Sequence, residues 1–281
     1  MTQAVDLQQW VGKTEDRQDV IAPWPAKALA ATLDRNDSDP VEGGALPQGW
    51  HWLYFLEARR ASEVGPDGHP KRGGFLPPVA LPRRMWAGGR IEFLQPLRFG
   101  DSVNRVSEIV KVEQKTGATG SLVFVTVRHT VKVGDVPSVI EEQDIVYREA
   151  AKVSDASPPG KAAPTTAGWS REVNPDPVLL FRYSALTFNS HRIHYDKDYA
   201  TGEEHYLGLV VHGPLQTTLL LDLCRRHSEA LVKRLEYRAM SPLFHDQPFT
   251  VNGQFDAGTN KAEVWTANAV GNYAMRGTAY F

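Results

Sequence analysis

The chain has 281 residues, 42 % of them hydrophobic and 23 % charged, with a formal net charge of -2. A balance so close to neutral gives no electrostatic grip on nucleic acid or an anionic membrane surface, and no apolar run reaches the ~18 residues that would span a bilayer. The single cysteine, Cys224, excludes an intrachain disulfide and, set among leucines, reads as a small core residue.

In chain order, residues 1–40 read as helical, with Leu7, Trp10, Val11 and Ala26 to Leu33 as apolar positions broken by Pro23 and Pro25. The acidic amino terminus has neither the apolar core of a signal peptide nor the arginine-rich face of a transit peptide, so the expected compartment is the cytoplasm. Leu46 to Leu56 places Gly49 ahead of an apolar run that predicts a helix. Residues 57–89 are irregular and carry Lys71, Arg72, Arg83, Arg84 and Trp86. A basic cluster with an aromatic neighbour suits phosphates and an adenine or a substrate carboxylate, and equally a solvated loop. Leu122 to Val133 alternates, turns at Gly134-Asp135 and returns through Val139 to Tyr147 as a hairpin. Ala150 to Trp169, rich in Ala, Ser, Pro, Gly and Thr, predicts a linker.

The chemistry concentrates in Phe181 to Leu223. Phe181 to Phe188 reads as a short apolar strand, and Asn189 to His194 as a polar turn dense in hydrogen-bonding groups. Gly213-Pro214 then opens a helix with Leu215, Leu219 and Leu223 on one face. The start of such a helix carries unpaired N–H groups and about half a positive charge, which suits a carbonyl oxygen that becomes negative during a reaction. Further on, Phe249 to Phe255, Glu263 to Val270 and Tyr273 to Phe281 predict three strands with turns between them. Arg90-Ile91-Glu92-Phe93 has a counterpart in Arg234-Leu235-Glu236-Tyr237, each ahead of a hairpin. Helix plus antiparallel sheet, duplicated, is the pattern these elements give.

The run Thr187 to Asp196, followed by Gly208 to Leu215, resembles the active-site segment of the MaoC-like hydratases and dehydratases. Within that family it is most similar to the branch of the mitochondrial hydroxyacyl-thioester dehydratases and bacterial mesaconyl-CoA hydratases. The likeness is specific over about forty residues and weaker over most of the chain. In the wider family an aspartate stands five residues before a histidine; here Asn189 takes the aspartate's place and His194 the histidine's.

The resemblance implies an α+β double hot-dog fold, two curved antiparallel sheets each wrapping a long central helix. Residues 1–149 would form an N-terminal non-catalytic hot dog, 150–168 a linker, and 169–281 the catalytic hot dog. The implied reaction is reversible hydration of a 2-enoyl-CoA to a 3-hydroxyacyl-CoA, with short branched or dicarboxylic acyl groups such as mesaconyl favoured. Asn189, His194 and Gly213 would be catalytic: the amide orients water, the histidine moves the proton, and the Gly213 N–H stabilises the thioester oxygen. His212, Arg83, Arg84, Trp86 and Lys71 would bind substrate. No cofactor is expected beyond the coenzyme A of the substrate. No metal is expected either, although His191, His194 and Asp196 have a spacing from which a two-histidine, one-carboxylate set can be drawn. Partners other than the small-molecule thioester, nucleic acid and membrane included, are not expected, and the oligomeric state stays open, a homodimer being compatible. Two other readings stand beside this one: a hot-dog thioesterase, whose nearest carboxylate on the helix is Asp222, and a non-catalytic acyl-thioester-binding protein.

Overall fold

A computed structural model describes residues 6–117, 120–149 and 160–281. The first half contributes β1 (Thr14–Val20), β2 (Arg83–Phe93), β3 (Ser102–Gly117), β4 (Gly120–Val133) and β5 (Val136–Arg148). The second contributes β6 (Trp169–Val173), β7 (Arg234–Ala239), β8 (Phe249–Asp256), β9 (Lys261–Ala267) and β10 (Tyr273–Tyr280). All ten join one antiparallel sheet in the order β1-β3-β4-β5-β2-β7-β10-β9-β8-β6.

Read outward from the β2–β7 seam, the strands follow the same order in both directions, so the repeat seen in the sequence is a pseudo-twofold. At the seam Ile91 pairs with Leu235, Arg90 with Glu236 and Glu92 with Arg234. The duplicated Arg-Ile-Glu and Arg-Leu-Glu triplets therefore pair with each other, with opposite charges face to face. The curved sheets of the two halves run into one another, because joining β2 to β7 removes an exposed edge from each. The hydrophobic core follows suit. Ile21, Leu29, Trp50 and Ile91 of the first half and Leu180, Leu215, Leu219 and Leu235 of the second belong to one cluster.

The helices correct the sequence reading in three places. The long helix of the second half, α4 (Gly213–His227), is present, and every residue from Leu215 to Cys224 is buried. Its expected counterpart after Gly49 is a single 3-10 turn, Trp50–Leu53, because Tyr54 is extended and Phe55 turns into the left-handed region at φ 59°. Residues 7–20 are not helical: a 3-10 turn, Leu7–Trp10, leads into β1, and the first α-helix is α1 (Pro23–Thr32), opening on a proline. Phe181 to Phe188, read as a strand, lies mostly within α2 (Pro177–Leu186). A short apolar run fits either element; Pro177 in the first turn and Asp176, whose Oδ1 accepts from Leu179 N at 2.8 Å, were the signals that decide it. A short α3 (Lys197–Gly202) links the polar turn to α4. Of the expected linker, residues 150–159 lie outside the described residues, and Gly160 to Gly168 makes one isolated bridge, Ala162 to Asn272. No helix among the described residues is long and apolar enough to cross a membrane.

Candidate active site

The polar turn is set by the way α2 ends. Asn189 N donates to Ser184 O at 2.8 Å and Phe188 N to Ala185 O at 3.4 Å, closing the helix with Phe188 at φ 49°. A left-handed residue is the usual device there, though glycine is its usual occupant. Asn189 thus leaves the helix at a fixed angle, and its Oδ1 accepts from His191 N at 3.0 Å. The chain then tightens into a 3-10 turn, Arg192–His194.

His194 is buried, with Nδ1 2.7 Å from Val210 O. A carbonyl can only accept, so Nδ1 carries the proton and Nε2 keeps its lone pair. Its ring stacks on His212 at 3.6 Å, and His212 Nε2 lies 2.8 Å from Ser184 Oγ. Burial is the main reason that His194 is pushed down to about 4; the Val210 bond opposes this and the charge of His69 adds to it. Burial likewise holds His191 at about 2 and His212 well below the ordinary histidine value. These rings are neutral near pH 7.

Across from the turn stands the start of α4. Its first residues lack a side-chain cap, Gln216 N bonds His212 O at 3.1 Å, and Gly213 N–H and Leu215 N–H have no partner among the described residues. A methyl group on Gly213 would meet only Trp86 Cβ at 3.8 Å, so the protein's own packing does not require glycine there. Its neighbours Trp86 and Pro214 both line a cavity.

That cavity, of about 320 Å³, lies between the halves. Tyr183, Asn189, Ser190 and Pro214 of the second half face Trp52, His69, Arg84 and Trp86 of the first. Trp86 packs edge-on against Trp52 at 5.4 Å and donates Nε1–H to Gly88 O at 2.9 Å. Glu57, on the same wall, is paired with Arg17 and Arg59, whereas Arg84 has no carboxylate partner among the described residues. His194 and His212 are not part of the wall.

Besides His212, two more expected substrate-binding residues are placed elsewhere. Neighbours on a strand point to opposite faces, so Arg83 turns away from Arg84; its Nε pairs with Glu204 at 2.8 Å and its guanidinium lies 4.8 Å above Tyr206. Lys71 is exposed, and its Nζ donates to Ser62 O at 2.7 Å. The set His191, His194 and Asp196 does not form either, because Asp196 caps α3 through Tyr199 N at 3.0 Å and pairs with Arg192 at 2.7 Å. The carboxylate weighed for a thioesterase, Asp222, is buried among Arg35, Arg171 and Arg226.

Sequence reasoning missed a group that the structure brings to the turn. Residues 66–69 of the first half dock on residues 190–192: Arg192 N donates to Asp67 O at 2.9 Å, Ser190 Oγ to Gly68 O at 2.5 Å and Arg192 Nη1 to Pro66 O at 3.1 Å. Gly68 has φ 90°, and a Cβ there would lie 1.8 Å from Ser190 O, so only glycine permits this approach. The docked loop puts His69 on the cavity wall with Nδ1 3.1 Å from Asp67 Oδ2 and its ring 4.0 Å from that of His191. Burial and the charge of Arg84 hold His69 below its ordinary value against the pull of Asp67. Burial alone would raise Asp67, but the bonds and charge of His69 outweigh it and hold the carboxyl well below the usual range. Ligand-capable atoms of Asp67, His69 and His191 lie within 4.8 Å of one another, which a metal could use. With Nδ1 of His69 spent on Asp67 and its ring tilted onto His191, the arrangement is nearer to a carboxylate–imidazole dyad than to donors converging on one point. The only sequence signal was Asp67-Gly68-His69, a short motif in an irregular loop.

The fold is a double hot dog, the architecture it shares with MaoC-like dehydratases of solved structure. A MaoC-like dehydratase from Phytophthora capsici superimposes with a TM-score of 0.68 at 13 % identity, covering 99 % of this chain and 98 % of that one. A Mycobacterium tuberculosis protein described as having a double hot-dog fold gives 0.58 at 14 % identity, covering 96 % of each. At such identities these structures speak for the fold alone. In sequence, the family model for hydroxyacyl-thioester dehydratase type 2 matches residues 49–245. The mesaconyl-C(4)-CoA hydratase of Chloroflexus aurantiacus is 46 % identical over 246 residues, 88 % of each chain. The mitochondrial hydroxyacyl-thioester dehydratase type 2 of Schizosaccharomyces pombe is 29 % identical over 233 residues, 74 % of this chain and 77 % of its own. The chain belongs to the hydroxyacyl-thioester dehydratase type 2 family and is a hydro-lyase.

Proposed function

We propose that the chain adds water reversibly across the double bond of a short dicarboxylic 2-enoyl-CoA, with mesaconyl-CoA as the representative substrate. The observation that carries this reading is a single cavity in which the uncapped start of α4 faces the Asn189 turn and Arg84 lacks an anionic partner among the described residues. The thioester oxygen accepts from Gly213 N–H and Leu215 N–H, and one such donor is worth about 3 to 4 kcal/mol as negative charge develops. Asn189 holds the attacking water but cannot exchange a proton. His194, buried behind the turn, braces it through Nδ1–H to Val210 O at 2.7 Å. The likeness to a mesaconyl-C(4)-CoA hydratase supports the choice of acyl group. A mesaconyl group joined to coenzyme A through C4 carries its free carboxylate on the β carbon, beside the atom that takes the water, and Arg84 receives it there.

Arg84→Gln tests this. Losing a charge-assisted bond worth about 1.5 to 3 kcal/mol should lower kcat/KM for mesaconyl-CoA roughly 10- to 100-fold while leaving crotonyl-CoA, which has no carboxylate, nearly unchanged. Equal losses on both substrates, or none on either, would overturn the assignment.

A further inference from the structure

We propose that His69, backed by Asp67, is the catalytic base of this site, delivered to the second half's turn by a loop of the first half. The inference rests on the hydratase reading and identifies the group that does what Asn189 cannot. Three observations carry it. His69 is on the cavity wall together with Asn189, while His194 is not. Its Nδ1 is 3.1 Å from the Asp67 carboxylate, whereas the partner of His194 Nδ1 is a neutral carbonyl. The loop bearing it is fixed to Ser190 and Arg192 by three hydrogen bonds and a glycine approach that no other residue allows.

An imidazole that gains a proton in a water-poor site must store a positive charge, and a carboxylate on its other nitrogen stabilises that charge and fixes the tautomer. His69 has this support and His194 does not. In hydration, His69 Nε2 takes one proton from the water as its O–H bond breaks, and the water oxygen bonds to the β carbon. The π pair moves through the α carbon onto the thioester oxygen, held by the α4 N–H groups. When the carbonyl reforms, the α carbon takes the proton back from His69 Nε2. One O–H bond is broken, one C–O and one C–H bond are made, and no net proton is gained or lost.

The decisive comparison is steady-state hydration of mesaconyl-CoA by the unmodified enzyme, His69→Gln, His69→Ala and Asp67→Asn. His69→Gln should lose about 100- to 10,000-fold in kcat with KM changed less than about threefold. Quenching of tryptophan fluorescence by butyryl-CoA should show that the variant still folds and binds. Added imidazole should restore part of the activity to His69→Ala, and Asp67→Asn should fall between the unmodified enzyme and His69→Gln. The groups facing His69 are Asp67, His191, Arg84 and Arg72. Protonation of His69 in that setting should produce an acid limb in kcat/KM that His69→Gln lacks. Activity of His69→Gln within about threefold of the unmodified enzyme, or a chelator-sensitive metal that restores activity on return, would overturn the proposal. An unmodified enzyme silent on every enoyl thioester would instead remove the hydratase reading and this inference with it.

Discussion

Four imidazoles line up at the turn: His69 to His191 at 4.0 Å, His191 to His194 at 5.5 Å and His194 to His212 at 3.6 Å. Packing them together is possible because burial keeps them uncharged, and that has a consequence for stability. His194 at about 4, and His129 of the first half also at about 4 through burial, lie below the ~6.5 of an unfolded histidine. Between those values the unfolded chain binds more protons than the folded one, so stability falls as pH drops below ~6.5 and is fully present above it. Each such histidine costs about 1.4 kcal/mol per pH unit in that window. Melting curves should therefore be flat from pH 8 to 7 and shift steeply downward between pH 6.5 and 5. An unchanged melting temperature at pH 5 would contradict the buried neutral rings. Asn189 and His194 were legible in the sequence because they are five residues apart in one motif. His69 was not, since it lies 120 positions earlier and only the fold brings it to Ser190.

At the scale of elements, one glycine fastens the halves at the site. Gly68→Ala forces a methyl group into Ser190 O and must lift residues 66–69 off the turn. The loop lies outside the sheet, so the expected result is a nearly unchanged melting temperature with kcat lower by roughly 100-fold, the scale of a displacement of about 1 Å. Activity equal to the unmodified enzyme's would show that the docking is incidental to catalysis. The hairpins and α4 could be read from sequence because alternation and a Gly-Pro helix start are local signals. The helix expected after Gly49 and the strand expected over 181–188 were misread for one reason. Short apolar runs do not distinguish helix from strand, and the cap at Asp176 and the left-handed Phe55 decide them.

For the whole molecule, the β2–β7 seam makes two hot dogs into one body, with Ile91 and Leu235 fully buried where the copies meet. A continuous sheet and a main core that crosses the seam should unfold as a single transition in calorimetry; two resolved transitions would contradict that unity. The duplication is unequal. Where the second half has α4, the first has a single 3-10 turn, and Trp52 of that turn lines the cavity. One half thus supplies the helix start and the Asn189 turn, and the other supplies the wall with Arg84 and His69. The most direct measurement follows the absorbance of the conjugated thioester on adding enzyme to mesaconyl-CoA and crotonyl-CoA, with free thiol assayed in parallel. Loss of conjugation without thiol release, faster for mesaconyl-CoA, is the predicted result. Release of thiol, or no change with either thioester, would contradict a hydro-lyase built across the two halves.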